Sequence, residues 1–288
     1  MKGLFLFALS AIALQESASW RLVYQVYGER SVRFTRSVRE DGTDRRDEPP
    51  PPPDGTPKLY SKREKGISEI WVSDADGKNE KRLTHSKAVE YQPRWTADRR
   101  RIVFVSSRTG DWQLWIMGDD GSNQTQLTRH PAGARDPEVS PTGDLVAYRE
   151  SLSDSKPGIS TLRLTDLAGK ESKALVEKAE IQTYEWSPKG DRLACGLQNE
   201  IRFLEVPSGK LLKRFEWKDI HKNLTNHAAS GMIWRADGGA IACKFNFQGK
   251  PAKGAKFFGD DELFILPLEG SPVVIEAGGE AWPVRWTR

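Results

Sequence analysis

An all-β fold assembled from repeated four-stranded units is predicted by three observations. First, residues 91–128 read YQPRWTADRRRIVFVSSRTGDWQLWIMGDDGSNQTQLT, four short strand-like runs separated by polar turns, with no helical period. Second, the pattern recurs: its leading positions are Trp95, Val139, Trp186, Trp234 and Trp286, spaced by 44, 47, 48 and 52 residues. Third, the first unit lacks a leading strand, whereas the chain ends on a spare one, Pro283-Val284-Arg285-Trp286-Thr287-Arg288. One four-stranded sheet with two partly apolar faces is not stable alone and needs stacked neighbours. The expectation is therefore a six-bladed β-propeller of four-stranded antiparallel blades, its ring closed when the C-terminal strand completes the N-terminal blade. Five blades is the alternative, should residues 20–48 form only a tail.

The units follow in order. In the first, Arg21-Leu22-Val23-Tyr24 and Val32-Arg33-Phe34 are strands and Asp41-Gly42 a turn. The second opens on Pro49–Pro53, which alone would read as a polyproline linker but stands where the repeat places its innermost strand. Lys58–Ser61, Ile70-Trp71-Val72 and Arg82-Leu83-Thr84 complete it. Residues 91–128 form the third. The fourth has Asp136–Val139, Leu145–Tyr148 and Ser160–Leu164, and the fifth Tyr184-Glu185-Trp186, Arg192–Cys195 and Ile201–Leu204. The sixth has Ile233-Trp234, Ile241-Ala242-Cys243 and Leu263–Leu266.

Composition narrows the function classes. The 288 residues carry a formal charge of +4, and their densest basic cluster, Arg99-Arg100-Arg101, reads as a solvated turn, so no nucleic-acid partner is expected. Lys2 followed by the apolar run Gly3–Leu14 and small residues up to Ala18 and Ser19 fits an export signal over residues 1–18, leaving 19–288 as the propeller. That run is too short to span a bilayer, and no second one follows. Cys195 and Cys243 occupy equivalent places in consecutive units, too far apart for a disulfide, and are expected as buried free thiols.

Trp186-Ser187-Pro188-Lys189-Gly190-Asp191, Ile70-Trp71-Val72 with Asp74-Ala75-Asp76-Gly77, and Trp115-Ile116-Met117 with Gly121-Ser122-Asn123 and Leu127-Thr128 resemble the repeats of TolB-type β-propellers. The resemblance covers nearly the whole chain after the signal. It implies a periplasmic or secreted protein, acting in the cell envelope by binding protein partners. There is no room between the signal and the first strands for the separate N-terminal domain of TolB itself. Related propellers gate prolyl-oligopeptidase-like enzymes, but no hydrolase domain follows.

No residue pattern announces a reaction: the nucleophile elbow, the HExxH helix and the phosphate-binding glycine loop are all missing. Asp74–Asn79 resembles the start of a calcium loop, but Asp and Gly are also what a tight hairpin requires, and the turn is preferred. The four histidines, His85, His130, His221 and His227, fall in linkers that share one face of a propeller. They frame the alternative function, a metal-dependent propeller enzyme of polysaccharide lyase or hydrolase type, with His221 and His227 as ligands of a divalent metal ion. The preferred reading has no cofactor and no catalytic residue: a monomeric binding scaffold for a protein or peptide. Tyr91, Arg135, Gln182, Ser230 and Trp282 each stand four residues before a leading position and mark the channel mouth. Arg108 and Trp112, in the second loop of the third unit, join them as candidate binding residues.

Overall fold

The structure, a computed structural model, describes residues 20–27, 33–39, 43, 46–48, 55–151, 158–170, 174–220, 227–247, 262–276 and 280–287. The first sheet contains β1 (Arg21–Tyr27), β2 (Arg33–Arg39) and β3 (Arg46–Glu48). The second has, among the described residues, β4 (Lys58–Glu64), β5 (Ile67–Ser73) and β6 (Lys81–Arg82). The third has β7 (Glu90–Trp95), β8 (Arg101–Thr109), β9 (Asp111–Gly118) and β10 (Thr125–Gln126). A seven-stranded sheet follows, made of β11 (Ala134–Val139), β12 (Leu145–Ser151), β13 (Ile159–Asp166), β14 (Val176–Trp186), β15 (Arg192–Leu197), β16 (Glu200–Glu205) and β17 (Leu211–Glu216). After the short helix α1 (Trp217–Ile220) comes a sheet of β18 (His227–Trp234), β19 (Ala240–Phe247), β20 (Glu262–Pro267) and β21 (Val273–Glu276). All pairings among the described residues are antiparallel, and the repeat legible in the sequence is present as sheets of consecutive strands.

The last strand, β22 (Glu280–Thr287), pairs with β1, Leu22 standing opposite Trp286. The C-terminal strand thus completes the N-terminal sheet, in the order β22-β1-β2-β3. The Pro-rich strand expected over Pro49–Pro53 lies outside the described residues, as do the turn Asp41-Gly42 and the export signal.

Within the seven-stranded sheet β14 serves two neighbours. Its first half pairs with β13 (Leu162 opposite Val176) and its second half with β15 (Trp186 opposite Leu193), so one strand closes one unit and opens the next.

The recurrent Leu-Thr pair explains how an outer strand of only two residues holds. In the second sheet the Leu83 amide donates to the Ile70 carbonyl (2.9 Å) and the Ile70 amide to the Thr84 hydroxyl (3.0 Å). In the third, Leu127 and Thr128 do the same to Leu114. Each threonine extends the ladder with its side chain, while the leucine beside it is buried.

Neighbouring sheets are keyed by turns. Gly169 (φ +83°) sits on the Leu127 backbone so closely that a Cβ there would lie 2.8 Å from its carbonyl oxygen, and Gly121 meets Leu83 in the same way. Only glycine combines a positive φ with that approach. The middle strands are apolar on both faces: Ile102–Val105 of β8 and Leu193–Cys195 of β15 are fully buried. Cys195 and Cys243 are buried free thiols, and burial pushes the Cys195 thiol up to about 12, which makes it a poor nucleophile.

Leu22 is fully buried against Ala240, Ala242, Leu263, Ile265 and Ile275 of the sheet that precedes β22. This tie between chain ends is made by burial as well as by β22. Leu22→Ala should cost about 2–5 kcal/mol. Thermal or urea unfolding of the variant checks this, against Leu211→Ala, an exposed leucine that should change stability little.

Candidate functional site

The inner strands β7, β11 and β14 face one another around a cavity of about 160 Å³, lined by Gln92, Arg94, Asp136, Glu138, Arg149, Gln182, Thr183 and Tyr184. Each strand carries a bulge just ahead of its leading residue, between Tyr91 and Arg94, Arg135 and Glu138, and Ile181 and Thr183. A bulge turns the strand and re-aims a side chain. At Gln92 and Asp136 the turn is sharp enough to force φ to +51° and +55°, a region that costs a non-glycine residue of order 1 kcal/mol.

That strain is offset by cross-sheet hydrogen bonds. The Gln92 side-chain amide donates to the Asp136 carboxylate, and the Asp136 backbone amide donates back to Gln92 Oε1 (3.0 Å). Arg149 binds the other Asp136 oxygen through Nε (2.6 Å) and the Ile181 carbonyl through Nη1 (2.8 Å). The Tyr184 hydroxyl donates to the Asp136 carbonyl. One level further along, Arg94 grips Glu138 with Nη2 at 2.8 Å and Nε at 3.1 Å from Oε1. The indoles of Trp186 and Trp234 donate to the carbonyls of Glu138 (2.9 Å) and Glu185 (3.0 Å) on the preceding inner strand. The wall is thus a polar lattice whose rungs join residues one repeat apart.

Glu185 is the carboxylate without a cation of its own in this lattice. It is reached by solvent but enclosed by protein; that enclosure and the neighbouring Glu138 push its carboxyl up to about 7, with Arg94 opposing. Burial also holds the Tyr184 phenol well above its ordinary value.

The structure brings together three of the residues singled out in the sequence. Tyr91 and Trp112 meet edge to face, ring centroids 4.9 Å apart at 86°, and the Arg135 guanidinium lies 5.4 Å from the centre of the Trp112 ring. All three side chains are half-buried. Arg135 Nε is shielded from solvent without a hydrogen-bond partner. Desolvation and Asp136 raise the Tyr91 phenol, while Arg135 and Arg149 pull it down, so the cluster and the cavity share one electrostatic environment.

Arg108 is engaged elsewhere. It pairs with the fully buried Glu90, donates to Gln124 Oε1 (2.7 Å) and lies 4.4 Å over the Trp115 ring. Gln182 borders the cavity and is exposed. For Ser230 and Trp282 the structure describes only the strand positions, on β18 and β22.

Of the four histidines, the side chains of His85 and His130 are described. His130 Nε2 lies 2.8 Å from the buried Tyr148 hydroxyl, with its Nδ1 at 3.3 Å from Glu150. His85 is an exposed linker residue, His221 lies outside the described residues, and His227 begins β18. No cluster of three or more His, Cys, Asp or Glu side chains that could hold a metal ion occurs among the described residues. Asp74 and Asp76 serve their own turn: Asp76 Oδ1 accepts the Lys78 amide (3.0 Å) and Asp74 Oδ2 the Asn79 side chain (2.6 Å). No helix among the described residues is long and apolar enough to cross a membrane.

Antiparallel sheets whose inner strands meet around a polar cavity define an all-β protein of the propeller class. Residues 45–195, just over half of the chain, match the family model of the TolB beta propeller domain, and the chain belongs to that family. Its fold is similar to that of TolB from Acinetobacter baumannii, with a TM-score of 0.55 at 16% identity over 84% of this chain and 64% of that one. Two curated relatives are similar in sequence. One is the uncharacterized peptidase YuxL of Bacillus subtilis, 28% identical over 184 residues, covering 62% of this chain and 25% of that protein. The other is the uncharacterized protein Atu1656 of Agrobacterium fabrum, 31% identical over 150 residues, covering 49% of this chain and 51% of that protein. The chain thus spans about a quarter and about half the length of these relatives.

Because folding lifts Glu185 from about 4.5 to about 7, the folded state keeps a proton that the unfolded chain loses over that range. The stabilisation is full below about pH 4.5 and lost as pH rises through 7. Glu185→Gln should therefore flatten the fall in melting temperature between pH 5 and 8, measured by thermal denaturation in matched buffers.

Proposed function

We propose that this chain is an exported TolB-like propeller that serves as a binding scaffold for a protein or peptide in the cell envelope. In this reading residues 1–18 are the export signal. Residues 19–288 form six blades, closed into a ring by β22 on β1, and the seven-stranded sheet counts as two blades that share β14. The observation that carries the binding function is the half-buried Tyr91–Trp112–Arg135 cluster beside the polar cavity. Aromatic rings and an arginine are the side chains that contribute most to protein interfaces: the rings offer large contact area at low entropic cost, and the guanidinium offers several donors in a planar fork. The half-buried Arg135 guanidinium supplies a charged, planar donor group suited to a partner's carboxylate.

Gln182, Ser230 and Trp282 extend this surface around the ring, and Arg108 supports it from behind by fixing Glu90 and covering Trp115. The word peptidase in the name of one relative belongs to a protein of which this chain spans a quarter.

The test is capture of partners from an envelope extract of the source organism on the immobilised protein. Trp112→Ala should weaken retention of the captured partner at least ten-fold, and Arg135→Ala by a similar factor. Arg108→Ala should instead lower the melting temperature, because it leaves the buried Glu90 carboxylate uncompensated. A partner retained equally by all three variants would refute the assignment of this surface.

A further inference from the structure

Two charged side chains beside the cavity are left without a partner among the described residues. Arg94 is closed on Glu138, and Arg149 on Asp136 and the Ile181 carbonyl. Arg135 makes no hydrogen bond or ion pair there, and neither does Glu185.

Unpaired charges are common on an open surface, where water screens them. These two are placed differently. The Arg135 guanidinium lies over the Trp112 ring with its Nε sealed from solvent, and its charge acts on the Tyr91 phenol. Glu185 is enclosed beside a like charge, Glu138, and the guanidinium that partly offsets it, Arg94, is committed to Glu138. In such a setting an incoming opposite charge interacts more strongly than it would in open water.

The spacing of the two positions follows from the strand register. Arg135 stands opposite Arg149 and Glu138 opposite Ala147, so the bulge of β11 sets their levels two residues of β12 apart, about 7 Å. Glu185, opposite Ala194, holds on β14 the place that Glu138 holds on β11, one residue before the leading position. The positive position and the negative one are therefore two strand residues apart along the wall, on neighbouring inner strands. The lateral step is within one side-chain length, since the Tyr184 hydroxyl of β14 reaches the Asp136 carbonyl of β11. An extended chain presents side chains on one face at the same interval, every second residue.

We infer that this wall recognises an extended peptide segment of a partner that carries an acidic and a basic residue in an i, i+2 relation, the carboxylate on Arg135 and the cationic group on Glu185. A free amino acid does not match, because its ammonium nitrogen and carboxylate carbon are only two bonds apart. A ligand of a single charge satisfies one position and leaves the other unpaired. The inference rests on the binding reading given above and specifies the chemistry of the partner.

The test uses the full chain at pH 8, where Glu185 is ionised, and fluorescent peptides of about seven residues, the length of a strand, capped at both ends. They are serine throughout except for a central glutamate–serine–lysine or lysine–serine–glutamate. At least one order should bind saturably by fluorescence anisotropy. In that peptide, glutamine for the glutamate and norleucine for the lysine should each weaken binding about ten-fold, as should three further serines between the two charges. The variants should give a crossed pattern. Arg135→Gln should make the chain indifferent to the glutamate but still sensitive to the lysine, and Glu185→Gln the reverse. If a variant does not fold, the peptide comparisons on the parent chain decide. The inference is overturned if neither order binds, if the neutralised peptides bind as well, if only one of the two charges counts, if the wider spacing changes nothing, or if either folded variant keeps the parent's discrimination. Should the peptides fail while Trp112→Ala and Arg135→Ala still weaken retention of envelope partners, the bipolar chemistry alone is lost. Envelope partners indifferent to both variants would instead remove the binding surface itself.

Discussion

Trp186 and Trp234 carry an indole N–H into packed protein, and each finds its acceptor on the inner strand of the sheet before it. On this contact the sheet-to-sheet arrangement depends. Apolar packing between sheets is non-directional and would tolerate a slide, whereas a buried donor has one satisfactory position. With the indoles seated, Tyr184 reaches the Asp136 carbonyl, and the turn glycines reach the backbone of the preceding sheet. The repeat spacing in the sequence is thereby turned into a fixed registration in space.

The cavity wall follows from that registration. Inner strands held at a constant offset bring residues one repeat apart together, so Gln92 meets Asp136 and Arg94 meets Glu138. Each group in the wall is satisfied by a different strand, and the wall is therefore as ordered as the strands behind it. The left-handed residues Gln92 and Asp136 fit this picture: a bulge costs backbone energy locally, and the rungs it makes possible return more than one hydrogen bond each. Beside this lattice Glu185 has no cation of its own, and enclosure together with Glu138 raises its carboxyl to about 7.

Much of this was legible in the amino-acid sequence, for physical reasons. Strand alternation, Asp-Gly turns and the recurring tryptophans encode local geometry, and they were sufficient for the repeat, the spare C-terminal strand and its pairing with β1. Tyr91, Trp112 and Arg135 were reachable because their positions follow from counting back from a leading residue or along a hairpin. Of the wall itself, Gln182 alone was. Sequence reasoning stopped at Tyr91 and Arg135, one residue short of Gln92 and Asp136, because a positive φ at a non-glycine leaves no mark in composition. A signal was present in Pro93 and Pro137, since proline inside a strand-like run marks a bulge. Arg108 was legible as a charge near the site but not as the counter-ion of Glu90, because its partner is 18 residues away on another strand.

The continuous strand β14 also bears on how the molecule comes apart. One backbone from Val176 to Trp186 is laddered to β13 on one half and to β15 on the other. Fraying of its first half withdraws hydrogen bonds from one sheet and loosens the lever that holds the other, so the two halves melt together as one cooperative segment. For anyone dissecting the chain, the Glu180–Ile181 boundary is no seam: residues 134–216 are the smallest piece of this region that keeps its strands whole.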